Sequence, residues 1–344
     1  MFRKVCNALL GALILAAAWS GPATARMITD MAGRRVEVPD TIHTVYGTSP
    51  PATYMVYAMN PDLVAGLNSP PNLAEKAYLD PRLLRKPVIG GWFGQGRTAN
   101  LETLLQVHPD IIVAWAGRSP VNEKMEKALK RLDIPVVYVV QDALSDYPAA
   151  FRFLGALFNL QSRGEALARD AGQTLAEMDR VRAAIPAAAQ VTVYYAEGAD
   201  GLSTECDTSV HAQLIPLSGA ANVHRCADNT THGMQKISME LVLKYDPQVI
   251  VAHEPMFFTT VAHDSRWQNI RAVRDGRVYR IPRTPFNWFD RPPSFMRLLG
   301  LKWMVGRLYP KYYPIDLAAE TQRFYKLYLN ADLDADAARK ILQP

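Results

Sequence analysis

The stretch NLETLLQVHPDIIVAW, residues 100–115, contains a helix–turn–strand pattern from which the fold class can be inferred. Asn100 is a residue type that caps helices, and a short helix is predicted after it. Pro109 and Asp110 then lead into an apolar run at 111–115 with the length of a buried strand. A second stretch, ISMELVLKYDPQVIVA at residues 237–252, repeats the order of carboxylate-bearing helix, proline turn and apolar strand. The same unit therefore occurs once in each half of the chain.

Apolar strands alternate with helices on both sides of these units. Strands are predicted at 45–47, 87–90, 111–115, 134–140, 191–195, 249–252 and 278–281. Gly or Pro marks the joins, which is typical of mainly parallel sheets covered on both faces by helices.

A long proline-free segment over about 162–184, rich in Ala, Leu, Arg and Glu, separates the two series of strands. The predicted fold class is therefore α/β, with two Rossmann-like lobes joined by one long linker helix. We place the N-terminal lobe at 26–158, the linker helix at 159–186 and the C-terminal lobe at 187–344. Ligands of open α/β sheets bind at the carboxyl ends of the strands, so two such lobes facing each other would form a cleft.

The first 25 residues have the layout of a cleavable secretory signal. Arg3 and Lys4 precede an apolar run at 8–19 and the small-residue pattern Ala-Thr-Ala at 23–25. The run is too short and too rich in Ala for a good membrane span, so cleavage near Ala25 is favoured over an uncleaved anchor. We therefore predict a periplasmic protein.

Charge and cysteine content restrict the function further. The chain has 38 Lys and Arg against 33 Asp and Glu, and loss of Arg3 and Lys4 would leave 36 against 33. That balance gives no indication of nucleic-acid binding. Cys206 and Cys226 would remain after cleavage, and an even pair in an exported protein predicts a disulfide. Two buried thiols are the alternative, and neither cysteine has the spacing of a metal motif.

Together these segments resemble the class III, or Fe/cobalamin-type, periplasmic substrate-binding proteins of ABC importers. The resemblance rests on the two repeated units, the opening ITDMAGR at 28–34 and the segment NWFDR at 287–291, and it extends over about 28–310. It implies two rigid lobes with small opening motions, a small metal-chelate ligand and ABC permease subunits as partners. We expect a monomer without a cofactor.

The resemblance also implies that one glutamate on each lobe docks on arginines of the permease. Those positions are Glu102 and Glu240. Two fixed carboxylates far apart would set the orientation of the molecule on a basic surface. The alternative is that each glutamate only stabilises its own helix from the first turn. Tyr54 stands where the family often has a further glutamate.

The predicted ligand-binding residues come from loops that follow strands in both lobes. Trp92, Trp115 and Trp288 fall where aromatic residues of the cobalamin binders in this family contact the ligand, and flat rings bury a large ligand at low entropic cost. Packing in the core is the alternative for each indole. The full predicted set is Trp92, Phe93, Arg97, Trp115, Arg118, Tyr195, His232, His253, Trp288 and Arg291.

Arginine and histidine supply the polar chemistry of this set. Arg291 and then Arg97 are the preferred partners for anionic groups of a ligand, although single arginines are commonly solvated. Histidines cluster in the second half, but they form no His-x-x-x-His or His-Glu-x-x-His pair, and we predict no protein metal site. Contact of His232 or His253 with a metal inside a chelate stays open.

We therefore predict a binding protein and not an enzyme. The glycine-rich segment 90–97 lacks the third glycine and the Lys-Ser/Thr of a phosphate loop, and no nucleophile elbow is present. The predicted ligand is a metal chelate of the ferric siderophore, haem or cobalamin type. One alternative is a molybdate or tungstate oxyanion bound by the same fold. The alternative from another class is a periplasmic metalloenzyme that uses the second-half histidines.

Overall fold

The computed structural model describes residues 25–93, 97–116, 120–226 and 233–343. The predicted signal segment lies outside these ranges apart from Ala25. The elements up to the long helix are β1 (Ala25–Thr29), β2 (Arg35–Pro39), β3 (Val45–Gly47), α1 (Pro50–Met59), α2 (Leu73–Lys76), α3 (Pro81–Leu84), α4 (Leu101–Val107), β4 (Ile111–Trp115), α5 (Pro120–Leu129), β5 (Val136–Val139), α6 (Tyr147–Leu157) and α7 (Gln161–Ala184).

The second half continues the alternation of strands and helices. Its elements are β6 (Thr192–Ala196), β7 (Ser203–Thr204), α8 (Leu214–Leu217), β8 (Ala221–Asn222), β9 (Gln235–Lys236), α9 (Met239–Tyr245), β10 (Val249–Ala252), α10 (Pro255–Thr260), α11 (Arg271–Arg274), β11 (Val278–Arg280), α12 (Met296–Leu308), α13 (Leu317–Phe324), a π-helical turn (Tyr325–Leu329) and α14 (Ala335–Leu342). None of the described helices combines the length and apolar character that a bilayer crossing requires.

Each half contains one parallel sheet. The first has the order β3-β4-β5, and the second has the order β11-β10-β6-β8. The hairpin β1–β2 and the pair β7–β9 are antiparallel additions. The prediction of an α/β fold with two lobes and mainly parallel sheets is therefore confirmed.

The predicted strand at 87–90 is wrong in detail. This segment makes only isolated bridges, Val88 with Leu67 and Gly90 with Ala99. Pro87 has no N–H to donate, and Gly90 has a φ of 87°, which extended strand residues do not adopt. A regular ladder therefore cannot form here.

The two repeated sequence units fold in the same way. At the start of α4 the side chain of Asn100 accepts a hydrogen bond from the N–H of Thr103, and at the start of α9 Ser238 caps Leu241 in the same manner. Each helix ends in a left-handed residue, His108 with φ 47° and Asp246 with φ 38°. A buried proline and a buried strand follow in both cases.

The two lobes share one hydrophobic core at their junction. A continuous apolar cluster extends from β4 through α6 and α7 to β6, β10 and α12. Helices α6 and α7 cross closely because Gly155 and Gly164 meet there, and a Cβ on Gly164 would lie 2.6 Å from the carbonyl oxygen of Phe151. Tyr57 on α1 donates to the carbonyl of Leu329 at 2.6 Å, so the C-terminal segment fastens both halves. This apolar junction is large, which favours small lobe motions.

Candidate functional site

Segments that follow the parallel strands of the two lobes contact each other, and we name the region between them the cleft. The contacts across it include a ring stack and hydrogen bonds. Tyr54 stacks on Phe286 with ring centroids 3.5 Å apart, and Gln213 accepts a hydrogen bond from the N–H of Leu144 at 3.0 Å. Arg297 on α12 reaches the carbonyl oxygen of Asp142 at 3.2 Å. The loops after the strands of the two lobes are thus neighbours, as the rule for open α/β sheets predicts.

The side of the cleft formed by the first lobe is mainly aromatic; we name Trp92, Phe93, Arg97, Trp115 and Asp142 the N-terminal face. Trp92 is buried, and its backbone N–H donates to the carbonyl of Thr48 at 2.8 Å. The guanidinium of Arg97, an exposed residue, lies 5.1 Å from the ring centroid of half-buried Phe93. Phe93, Arg97 and Trp115 are therefore the predicted residues of this face that a ligand can reach.

Trp115 ends β4 and is oriented by the neighbouring strand. Its indole Nε1–H donates to Oδ1 of Asp142, 2.9 Å away, in the loop after β5. Burial raises the pKa of Asp142. Asp142 has no role in the prediction from sequence, because the bond joins residues 27 positions apart in the chain.

The opposite side carries an ionic network; we name Glu197, Glu205, His211, Asp290 and Arg291 the C-terminal face. Nε of Arg291 lies 2.5 Å from a carboxylate oxygen of Glu197 and 3.4 Å from one of Asp290, and Nη2 of Arg291 contacts Glu205. All three carboxylates are buried, whereas the arginine side chain is 30% exposed. Arg291 is therefore neutralised by its own lobe, which the sequence did not indicate.

Burial controls the protonation of Glu197. Desolvation raises the pKa of its carboxyl to about 7, although the hydrogen bond and charge of Arg291 act in the opposite direction. One oxygen of Glu197 and one of Asp290 are buried without a hydrogen-bond partner. The network therefore contains more carboxylate oxygens than its single guanidinium can hydrogen-bond.

His211 belongs to this network although it was not among the predicted ligand-binding residues. Its Nδ1 lies 2.5 Å from Oδ1 of buried Asp290. Burial disfavours the charged ring, but the hydrogen bond and charge of Asp290 outweigh it, so the pKa of His211 is raised. A carboxylate at Nδ1 fixes the ring orientation and directs Nε2 outward. The 79 residues between the partners left no local sequence signal.

Tyr195 and His253 lie behind the surface of the cleft. The Tyr195 hydroxyl is 3.4 Å from Nδ1 of His253, and both residues are buried. Burial and the nearby charge of Arg283 lower the pKa of His253 to about 4, so its ring is neutral near pH 7. Tyr195 is fully buried, and its role as a ligand contact stays a prediction. It supports His253 and packs on Phe289.

Trp288, another predicted ligand contact, is also buried. It is fully buried in the shared core, and its Nε1–H donates to the carbonyl of Thr284 at 3.0 Å. Helix α12 passes so close that a Cβ on Gly300 would lie 1.8 Å from the Trp288 carbonyl oxygen. The loop is therefore packed against the helix with the indole inside. Core packing, the alternative given for this residue, describes its place.

The remaining predicted residues divide into two groups. Arg118 and His232 lie outside the described residues. Glu102 and Glu240 are exposed in the first turns of α4 and α9.

A disulfide joins Cys206 and Cys226 beside the ionic network. Asn222 donates to the carbonyl of Glu205 at 3.1 Å, which fastens the same loop. Among the described residues, these two sulfurs and His224 form the one cluster with metal-ligand spacing. Because the sulfurs are bonded to each other, they offer no thiolate to a metal.

Comparison with known proteins finds one matching family and several related binding proteins. A family described as "Periplasmic binding protein" matches residues 92–285, more than half of the chain. A vitamin B12-binding protein of Pectobacterium atrosepticum is 30% identical over 211 residues, which are 60% of this chain and 70% of the relative. The molybdate-binding protein MolA of Haemophilus influenzae is 23% identical over 98% of this chain and its own full length.

Solved structures agree on the fold. An ABC transporter solute-binding protein of Sulfurospirillum deleyianum has a TM-score of 0.85 at 36% identity, covering 92% of this chain and 98% of its own. The molybdate-bound structure of MolA has a TM-score of 0.73 at 22% identity, covering 90% and 99%, and supports the fold alone. With its two lobes, parallel sheets and shared cleft, the chain belongs to the periplasmic binding protein family, which supplies the substrate-binding components of ABC transporters.

Proposed function

We propose that this protein captures a metal chelate of the ferric siderophore, haem or cobalamin type and delivers it unchanged to an ABC permease. The proposal rests on the difference between the two sides of the cleft. Accessible aromatic rings lie on one side, and a network with more carboxylates than cations lies on the other. A chelate offers apolar area to the first side and hydrogen-bond donors or positive charge to the second.

Charge separates a chelate from a compact dianion. The C-terminal face contains three buried carboxylates against Arg291 and His211. Two donor nitrogens of Arg291 are already used by glutamates. A small dianion placed here would find the guanidinium and the imidazolium already paired with carboxylates, so little positive charge is left to bind it.

The start of α1 also disfavours a compact dianion. This helix begins at the carboxyl end of β3 with Pro50 and Pro51. A helix N-terminus binds anions through its free N–H groups, and proline has none. The cleft therefore lacks two of the donors that such an end normally presents.

The oxyanion reading remains the second candidate because of one observation. Similarity to the molybdate-binding protein extends over 98% of this chain, whereas similarity to the vitamin B12-binding protein extends over 60%. Arg97 and Arg283, both exposed, are the described arginines that an oxyanion would use, and Arg283 also pairs with Glu254 at 3.5 Å.

Ligand identity is tested in two steps. Native mass spectrometry of protein purified from its own periplasm weighs the bound compound. The ligand-stripped protein is then titrated with cyanocobalamin, haemin, ferrichrome and sodium molybdate while tryptophan fluorescence is recorded. Binding of a chelate in the micromolar range or tighter supports the proposal. Molybdate binding with no response to any chelate contradicts it.

Trp115→Ala tests whether Trp115 contacts the ligand. Truncating a half-buried indole at a contact removes on the order of 1–2 kcal/mol of binding free energy, so chelate affinity should fall about tenfold. Tyr312→Ala is the control, because Tyr312 is an exposed aromatic residue away from the strand ends. Equal affinities of the two variants would remove Trp115 from the ligand site.

We propose that Glu102 and Glu240 dock the loaded protein on the permease. Glu102→Ala combined with Glu240→Ala should abolish transport while ligand binding in solution stays unchanged. Glu37→Ala, an exposed glutamate on β2, is the matched control. Unchanged transport by the double variant would refute docking through these residues.

We also propose cleavage near Ala25 and a monomeric mature protein. N-terminal sequencing of the exported protein tests the cleavage site. Light scattering of the purified protein, with and without ligand, tests the monomer.

A further inference from the structure

Helices α4 and α9 have the same pattern of exposure at every position. In both, the seven residues are in turn half-buried, exposed, half-buried, buried, exposed, exposed and half-buried. The second position is the glutamate, Glu102 or Glu240. The fifth is a leucine in both helices, and Leu105 and Leu243 are 48% and 41% exposed. The two lobes thus present the same pair of side chains in the same geometry.

The exposed leucines do not serve the core of either lobe. The buried position of each helix is filled by its neighbour, Leu104 in α4 and Val242 in α9. A single exposed leucine on a protein surface needs no explanation. Two exposed leucines at equivalent positions of a repeated unit do need one. The next exposed position is not kept in the same way, because it is Gln106 in one helix and Lys244 in the other.

The glutamate and the leucine of each helix lie on one face. They are three residues apart, which places their side chains next to each other on a helix surface. Neither glutamate has an ion-pair partner within its own lobe among the described residues. Each lobe therefore offers a carboxylate without an ion-pair partner beside an apolar side chain, and Ser238 hydrogen-bonds to Glu240.

We propose that each of these pairs, Glu102 with Leu105 and Glu240 with Leu243, is one docking epitope for the importer's two membrane subunits. The inference rests on the proposed docking function and adds to it an apolar contact made by the two leucines. The matching partner is a pair of related subunits, each presenting a basic side chain beside an apolar recess. The carboxylates steer and orient the encounter, and the leucines contribute contact that salt does not screen.

Salt dependence separates the two contributions. Docking of the full mature chain on the importer's membrane-subunit dimer in lipid nanodiscs is measured between 50 mM and 1 M NaCl. Glu102→Gln with Glu240→Gln should weaken docking strongly at low salt and little at high salt. Leu105→Gln with Leu243→Gln, which keeps helix propensity and side-chain length, should weaken docking about thirtyfold at all salt concentrations.

Leu73→Gln is the matched control, because Leu73 on α2 is 86% exposed but lies outside the two repeated units. It should dock like the unaltered protein. Leu105→Lys with Leu243→Lys is the second variant, and repulsion from the partner's basic side chains should abolish docking. Thermal unfolding of all variants checks that they are folded.

Three outcomes are decisive. Loss of docking in both leucine variants, with normal folding, supports the epitope. Loss in the glutamate pair but normal docking of the leucine pairs overturns this inference and leaves the docking function standing. Normal docking of the glutamate pair and the leucine pairs alike overturns both.

Discussion

The two sides of the cleft are built from different interactions. On the N-terminal face, Trp115 is half-buried and oriented by one hydrogen bond, and Arg97 stacks over Phe93. On the C-terminal face, buried carboxylates surround Arg291. The first kind of surface tolerates substitution, whereas charges inside a protein depend on every partner. We infer that ligand preference is adjusted on the aromatic face, while the ionic face is a fixed part of the folded lobe.

Removal of Arg291 should have the largest effect. Arg291→Met leaves Glu197 and Glu205 buried without their cation, and breaking a buried pair in this way costs about 3–5 kcal/mol. The free energy of unfolding in urea at pH 7 measures the loss. Arg152→Met, at an exposed ion pair with Glu165, should leave the free energy of unfolding nearly unchanged, because solvent screens that pair.

Acid should partly rescue Arg291→Met. Without the cation, the pKa of Glu197 rises further above its unfolded value, so protonation relieves the buried charge. The difference from the unaltered protein should shrink as pH falls from 8 to 5. A loss below about 1 kcal/mol at pH 7, or one independent of pH, would show that the network contributes little.

The second prediction concerns the link between the faces. Arg297 is almost fully buried and donates to the carbonyls of Gln141 and Asp142 at 3.3 and 3.2 Å. Arg297→Met leaves these oxygens unsatisfied, and we expect a loss of about 2 kcal/mol in the free energy of unfolding. A gain in stability would instead mean that desolvation of the guanidinium outweighs its hydrogen bonds.

The third prediction uses the protonation of Glu197. Its pKa is about 7 in the fold, above the ordinary value of 4.5, so it favours the folded state at low pH and this contribution is lost as pH rises through 7. Glu197→Gln mimics the neutral acid at every pH. The variant should match the unaltered protein at pH 5 and exceed its stability by up to about 3 kcal/mol at pH 8.

Urea unfolding across pH 5–8 checks this prediction. Glu123→Gln, at an exposed position of α5, should leave the pH profile unchanged. Parallel profiles of Glu197→Gln and the unaltered protein would show that Glu197 is already ionised at pH 5.

Most helices and strands could be predicted from the sequence, because local sequence signals define them. The repeated units at 100–115 and 237–252 carry their caps, prolines and apolar strands within sixteen residues each, and both fold as predicted. The long helix α7 follows from the same kind of local pattern, whereas the order of the strands within each sheet was not predicted.

The chemistry of the site could be predicted only in part, because it depends on distant partners. Arg291 was identified, but its partners Glu197 and Glu205 are 94 and 86 residues away. Asp290 is adjacent to Arg291 in the sequence, but no local pattern indicates the two distant glutamates that complete its neutralisation. The sequence left core packing and ligand contact open for Trp288 for a related reason, since the glycine that brings α12 against its loop lies in another element.

The smallest expected effect concerns Asp142, which orients Trp115. Asp142→Ala removes the acceptor of the indole N–H, but half-buried Trp115 can bond to water instead, so the free energy of unfolding should change by less than about 1 kcal/mol. Ligand affinity should fall about fivefold, because an indole free to rotate must be ordered on binding. Asp142→Asn keeps an acceptor oxygen and should restore affinity. The emission of Trp115, isolated by subtracting the Trp115→Phe spectrum, should shift in the alanine variant and return in the asparagine variant. Unaltered affinity in Asp142→Ala would mean that the N-terminal face binds ligand without a fixed indole. The hydrogen bond of Trp115 would then not matter for binding, and the two faces would differ less in rigidity than their hydrogen bonds and ion pairs indicate.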